Sequence, residues 1–122
     1  MPDGFVHLHC HSEFSMLDGA ARLKGLVKGA EQMGMPALAV TDHGNLFGAY
    51  EWYKTAKGSP VKPIIGLEAY LTPKTHRSER KRVQFGDGTG DDVAAKGAYT
   101  HMTMWASDND GMHNLFRLSS LS

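Results

Sequence analysis

The segment Phe5-Val6-His7-Leu8-His9-Cys10-His11-Ser12 changes character at every residue. Val6, Leu8 and Cys10 share one parity, while Phe5, His7, His9 and His11 share the other. A β-strand sends alternate side chains to opposite faces. This stretch is therefore expected to form a strand with one apolar face and one face of imidazoles. Ser12-Glu13-Phe14-Ser15-Met16-Leu17-Asp18-Gly19 follows and reads as a turn carrying two carboxylates. Neutral imidazole is the commonest metal ligand and is costly to bury without a partner. The segment is expected to supply the first half of a metal site.

Beyond that strand the chain alternates between helical and extended patterns. Leu23, Leu26, Val27 and Ala30 recur at helical spacing, with Arg22, Lys24, Lys28 and Glu31 on the other side, which predicts a helix over 20–33. Gly34 stands where a C′ glycine would, and Pro36 enforces an extended entry to the next element. That element, Ala37-Leu38-Ala39-Val40, has no polar alternation and suits a buried parallel strand. Thr41-Asp42-His43-Gly44-Asn45 ends it in a polar turn. A second helix is expected over 46–57, packed through Leu46, Ala49, Tyr50, Tyr53 and Ala56 and stopped by Gly58-Ser59-Pro60. Ile64-Ile65-Gly66-Leu67-Glu68-Ala69-Tyr70-Leu71 is the third strand. This order, at this spacing, is that of βαβ units and an α/β fold.

The pattern breaks over 72–97. Lys74, Arg77, Arg80, Lys81 and Arg82 form a basic run interrupted by Glu79, and Gly86, Gly88 and Gly90 with Asp87, Asp91 and Asp92 follow. An exposed, mobile insertion is expected here, either a solvated loop or a contact for phosphate backbone. Period-two alternation returns over 98–106, with His101, Thr103 and Trp105 on one face, and a third helix begins around Met112. Its Leu115, Leu118 and Leu121 have nothing after them to pack on, so the chain is expected to be the N-terminal part of something longer.

Composition narrows the class. The 122 residues carry no formal net charge, are 41% hydrophobic and include one cysteine and seven histidines. That suits one small domain, or part of a larger one, with a real core. No apolar run is long enough to span a membrane, and Met1-Pro2-Asp3-Gly4 does not begin a secretory signal. A single thiol excludes an internal disulfide and points to a reducing cytoplasm. Neutral balance provides no global attraction to nucleic acid.

Each candidate ligand has a functional and a structural reading. His9 and His11, two apart on a strand, can face one metal or two neighbouring ones; alternatively they decorate an exposed edge. Asp18 can bridge cations or cap the helix that follows. His43 lies where the second strand ends, the edge at which parallel α/β folds collect functional groups. Asp42 beside it can bind metal too, orient an imidazole or satisfy backbone donors, and Gly44 or Asn45 can supply an unusual dihedral. Glu68, inside an apolar strand, must be paired, protonated or metal-bound, and Gly66 can permit close approach beside it. His101 is central in the fourth strand and is either a ligand or a buried histidine with a backbone partner. His7 is read as support, His76 and His113 as surface residues, and Cys10 as a small hydrophobe. Four strands each delivering a histidine or carboxylate argue for one cluster of mixed nitrogen and oxygen ligands, suited to zinc, manganese or iron. Such clusters activate water and neutralise phosphoryl charge.

Taken together, His9-Cys10-His11-Ser12, Asp18-Gly19, Thr41-Asp42-His43-Gly44-Asn45-Leu46-Phe47-Gly48 and Lys62-Pro63-Ile64-Ile65-Gly66-Leu67-Glu68 resemble the polymerase and histidinol phosphatase (PHP) domain. The wording is most similar to the version that opens the alpha subunits of bacterial replicative DNA polymerases, the family C enzymes. The resemblance covers essentially all of residues 1–122 and is weakest in the 72–97 insertion. It implies the N-terminal part of a distorted seven-stranded (β/α) barrel, incomplete in this chain, with a metal cluster at the strand ends. By motif match His9, His11, Asp18, His43, Glu68 and His101 would be the catalytic metal ligands, holding zinc or manganese. The implied activity is phosphoester hydrolysis, as a 3′-to-5′ proofreading exonuclease on the DNA primer terminus, within a DNA-directed DNA polymerase that contacts the sliding clamp and other replicase subunits. The polymerase site and its magnesium, and the family's later ligands, a cysteine or histidine and an Asp-x-His pair, are not in these residues, so the isolated fragment is expected to be inactive. Two other readings remain at this point: a structural or subunit-docking module without hydrolysis, and a fragment of a stand-alone phosphatase of the same superfamily.

Overall fold

A computed structural model describes residues 4–79, 81–84, 96–97 and 99–122. Among them the elements are α1 (Leu23–Gln32), β1 (Ala37–Val40), α2 (Ala49–Ala56), β2 (Lys62–Leu71), β3 (Val83–Gln84), β4 (Lys96–Gly97), β5 (Thr100–Trp105) and α3 (Asn109–Leu121). They form a mixed α/β arrangement consistent with part of a barrel. Two compact units divide the chain, one of Met1–Ala69 with Thr103–Ser122, the other Tyr70–Met102.

In the first unit β1 and β2 pair in parallel, Ala37 opposite Lys62 through Val40 opposite Ile65. All four β1 residues are buried, as an apolar run without alternation requires. The third strand of this sheet, β5, lies on the other side of β2. It runs antiparallel: Ala106 N–H donates to the Ile65 carbonyl at 3.0 Å, while the Thr100 hydroxyl reaches the Leu71 carbonyl at 3.4 Å. The glycine inside β2 is dictated by this crossing. A Cβ at Gly66 would stand 2.5 Å from the Met104 carbonyl oxygen and 2.7 Å from Thr41 Cγ2.

The core joins the helices to the sheet. Leu23, Val27 and Ala30 of α1 pack with Leu38 and Val40 of β1, Trp52 and Ala56 of α2, and Val61, and Cys10 is half-buried against them. The helix ends as its residues suggest, with Gly34 following at φ 68°. The packed face of α2 differs from expectation. Trp52 is fully buried and donates Nε1–H to the Ile64 carbonyl at 3.3 Å, whereas Tyr50 and Tyr53 are exposed. One indole fills the space that the two phenol rings were expected to fill, and a helix of eight residues has only one inward stripe.

Residues 5–10 depart most from expectation: they form no strand. The segment runs beside β1 with His7 and Cys10 carbonyls accepting from Ala39 N at 2.9 Å and Thr41 N at 2.8 Å. Side chains complete what a ladder would have supplied. Cys10 N–H donates to the Thr41 hydroxyl at 3.2 Å, and Trp105 Nε1–H donates to the Leu8 carbonyl at 2.7 Å. Leu8 is exposed as well, so the expected apolar face is only partly buried. At the far end, Asp108 caps α3 by accepting from Gly111 N at 2.8 Å, and Leu115 is that helix's buried residue. Leu118 and Leu121 remain exposed.

The second unit holds a short antiparallel pair, Val83 opposite Gly97 and Gln84 opposite Lys96. Lys81 pairs with Glu79 at 3.4 Å. Arg80 and the glycine–aspartate stretch of the expected insertion lie outside the described residues. No helix among the described residues is long and apolar enough to cross a membrane.

Candidate metal centre

Five of the six expected site residues meet in the first unit. Glu68 reaches the site from β2 and is only 4% exposed. Its neighbours are fixed by backbone: Glu68 N–H donates to the Asp42 carbonyl at 3.0 Å, and Gly44 N–H donates to the Glu68 carbonyl at 2.9 Å. These bonds bring His43 and Glu68 side by side as a parallel bridge just past the end of β1. Gly44 makes the turn possible, because its φ of 60° is unfavourable for any residue with a Cβ. Asn45 takes no positive φ; its side chain donates to the His43 carbonyl at 2.9 Å and the Phe14 carbonyl at 3.3 Å, tying the two loops together.

The donors then converge. Glu68 Oε2 contacts His9 Nε2 at 2.5 Å and also His11 Nε2. His43 Nδ1 lies 3.7 Å from Glu68 Oε1. Asp18 Oδ2 contacts His11 Nδ1 at 2.9 Å and His43 Nε2 at 2.7 Å. The hydrogen bond from His43 holds the Asp18 carboxyl below the usual carboxylate range, with the charges of His11 and His43 acting in the same direction. Asp18 does not cap α1, whose N-cap is Arg22 without a side-chain cap bond. The structural reading of Asp18 therefore fails.

His11 is the informative residue. Both of its ring nitrogens face carboxylate oxygens. A neutral imidazole has a single N–H, so it can donate to only one of them. The other contact sets a nitrogen lone pair against an oxygen lone pair unless a cation, either a proton or a metal, lies between. Donor atoms of His9, His11 and Glu68 fall within 4.8 Å of one another, and so do those of His11, Asp18 and His43. These two overlapping groups of imidazole nitrogen and carboxylate oxygen could each hold a divalent ion.

Asp42 serves this centre without touching an imidazole in the hydrogen bonds it makes. It is buried and accepts from Ser12 N, Ser12 Oγ and Ser15 Oγ, each at 2.7 Å. The Ser15 hydroxyl in turn accepts His43 N–H at 3.1 Å. The expectation that Asp42 orients a ring is thus corrected. It anchors the loop that carries Asp18 to the loop that carries His43. Sequence reasoning passed over Ser12 and Ser15; the one signal available was a pair of serines three apart in a turn opposite a buried aspartate.

His101 belongs to the second unit. It is the second residue of β5 rather than the centre of a longer strand, and its ring lies 5.2 Å from that of Tyr70 and 5.8 Å from that of Tyr99. His7, His76 and His113 are exposed. His76 contacts the Ser78 hydroxyl at 2.8 Å, and the His113 ring lies 6.1 Å from Phe116. Burial raises the Cys10 thiol above its ordinary pKa, as suits a small hydrophobe.

Known proteins are similar to this chain in sequence and in fold. DNA polymerase III subunit alpha of Mycobacterium leprae is 52% identical over 120 residues, covering 97% of this chain and 10% of that protein. The Aquifex aeolicus subunit is 43% identical over 122 residues, again covering 10% of its length. The matches fall in the N-terminal region of those subunits, so the chain spans about a tenth of the relatives it matches. Among solved structures, a Bifidobacterium adolescentis protein described as a metal-dependent phosphoesterase superposes with a TM-score of 0.58 at 18% identity, covering 95% of this chain and 33% of that one. An amidohydrolase of Chromobacterium violaceum superposes with a TM-score of 0.56 at 19% identity, covering 92% and 32%. At these identities the two structures speak to the fold alone. The family model for the PHP domain matches residues 7–122, taking in every residue of the histidine–carboxylate cluster, and the chain belongs to the PHP domain family.

Proposed function

We propose that residues 1–122 are the N-terminal part of a PHP domain that opens a DNA polymerase III alpha subunit, with a charged insertion at about 72–97. His9, His11, Asp18, His43, Glu68 and His101 hold a divalent metal cluster there, and the complete protein uses it for 3′-to-5′ excision at the primer terminus. The observation that carries this reading is His11, gripped between Glu68 and Asp18 at both ring nitrogens. Relatives 42–52% identical to this chain carry the polymerase name, which supports the assignment over a stand-alone phosphatase.

Imidazole nitrogen mixed with carboxylate oxygen suits zinc or manganese better than calcium. When bound, such ions supply an activated water and neutralise charge on a phosphoryl group. This chain's residues provide the frame. Glu68, fixed in β2, is the rigid member; Asp18 closes the cluster from a loop that Asp42 holds down. Partial clusters leave their geometry loose, so the isolated chain is inactive. In the complete protein the partners are the DNA primer terminus and other replicase subunits, including the sliding clamp, and magnesium serves a polymerase site outside these residues.

The test is a mismatch-excision assay on the complete protein carrying His9→Ala or Glu68→Gln, beside a primer-extension assay. Excision should disappear while much of the extension remains. Excision equal to the parent's would remove the cluster from hydrolysis and favour a structural or docking module.

A further inference from the structure

The turn that carries His43 is held from a direction the other ligands do not account for. Gly44, the next residue, takes a φ of 60°. Glycine populates positive and negative φ about equally, so its own preference does not fix this turn and its neighbours must. On one side, Gly44 N–H donates to the Glu68 carbonyl at 2.9 Å. On the other, the Gly44 carbonyl accepts two hydroxyls from the C-terminal end of α3, Ser122 Oγ–H at 2.9 Å and Ser119 Oγ–H at 3.4 Å. Both peptide units that flank Gly44 are thereby pinned, the second by residues 75 and 78 positions away in sequence.

The placement of these serines follows from α3 itself. Leu115, Ser119 and Ser122 stand at i, i+4 and i+7, a single stripe of the helix and its C-cap. Leu115 is buried, and the two hydroxyls carry that stripe on to the turn. Ser122 Oγ also lies 2.9 Å from the Ser119 carbonyl. A hydroxyl has one proton to donate, so a full bond to one carbonyl is lost to the other. When Ser122 turns to Ser119, the Ser119 hydroxyl still holds Gly44. Ser120, between them, donates within its own helix, to the Phe116 carbonyl at 2.9 Å.

We infer that Ser119 and Ser122 are positioning residues for the metal centre, clamping Gly44 so that His43 stays within reach of Asp18 and the ion that His11, Asp18 and His43 would share is bound more tightly. A ligand on an unpinned glycine turn must be ordered each time the ion binds, which weakens binding; a pinned one is already in place. The inference deepens the proposed function, and it rests on that reading for the ion but not for the clamp.

The experiment compares the complete protein with three variants: Ser119→Ala with Ser122→Ala, Ser119→Thr with Ser122→Thr, and Ser120→Ala. Amide hydrogen exchange with chelator present reads the clamp. Zinc titration reads the binding step that His43→Ala removes. In the double alanine variant, exchange around Gly44 should quicken and that zinc step should weaken, each about fivefold, the scale of one hydrogen bond of ordinary net strength. Exchange in α1 and α3 should stay that of the parent. The threonine pair, which keeps both hydroxyls, should restore both readouts, and Ser120→Ala should move neither. Only one of the two donor groups contains His43, so zinc held by His9, His11 and Glu68 should be unaffected. Parent-like exchange around Gly44 would overturn the clamp. Faster exchange with unchanged zinc affinity would overturn the positioning role. Faster exchange throughout α3 without rescue by threonine would overturn it as well, since loosening of the helix would then be the cause. Faster exchange confined to the turn, in a protein whose parent takes up no zinc at all, would support the clamp and sink the metal reading instead.

Discussion

Asp42 accepts the Ser15 hydroxyl at 2.7 Å across 27 residues of sequence, and that hydroxyl takes the His43 N–H at 3.1 Å. The carboxylate is 3% exposed and meets three donors. It therefore acts as the clasp between two loops that each bring a donor to the cluster. Asp42→Asn keeps the shape but turns an amide NH2 toward groups that are themselves donors. Hydrogen bonds to a charged partner are worth roughly 1.5–3 kcal/mol. The substitution should destabilise the chain by about 2 kcal/mol in urea unfolding. A midpoint matching the parent would show that the clasp carries no such weight.

Glu68→Gln tests the cluster without activity. Gln fits the same space and removes the anion that His9 and His11 share. Zinc or manganese content after dialysis, read by elemental analysis, should fall at least about tenfold, the size of effect that even changes to ligand-orienting groups produce. The circular dichroism spectrum should stay that of the parent. Undiminished metal content would remove Glu68 from the ligand set.

Gly66→Ala addresses the crossing of β2 and β5. The new methyl would meet the Met104 carbonyl oxygen at 2.5 Å, a backbone atom that cannot swing aside. Overpacking of this kind costs roughly 1–3 kcal/mol. A loss in that range is expected in thermal unfolding of the same protein, and an unchanged melting temperature would mean the strands separate freely.

Cys10 gives a pH-dependent observable. Its folded-state pKa is raised by burial, so folding favours the thiol over the thiolate. The stability this contributes is fully present below the ordinary thiol pKa and is lost as pH rises through the raised value. Alkylation at pH 8 should be slower in the native chain than in urea, and its rate should reach half-maximum above pH 9.0, the ordinary value. Equal rates in both states would place the thiol in solvent.

What could be read along the chain is what short-range chemistry controls. The periodicity of Leu23, Val27 and Ala30 set the first helix, the unbroken apolar run Ala37-Leu38-Ala39-Val40 set a buried parallel strand, and Gly34 marked a positive-φ turn, while the second such turn lay between Gly44 and Asn45 until the structure gave it to Gly44. Five of the six candidate ligands were legible as candidates because a histidine or carboxylate among apolar neighbours has few stable alternatives to a cation or a counter-charge. Other decisions needed the third dimension. Alternation over 5–10 predicted a strand, but a strand needs backbone partners on its flank, and the Thr41 hydroxyl and Trp105 indole took their place. Helical spacing put Tyr50 and Tyr53 on the packed side of the second helix, and only the space beside Ile64 chose the Trp52 indole instead. Asp42 could have turned toward a ring or toward the chain; two serine hydroxyls from another loop settled it. Local sequence determined which groups were present and which elements carried them. Tertiary packing decided which of those groups met, because burial and hydrogen-bond satisfaction are properties of neighbours that the order of residues does not name.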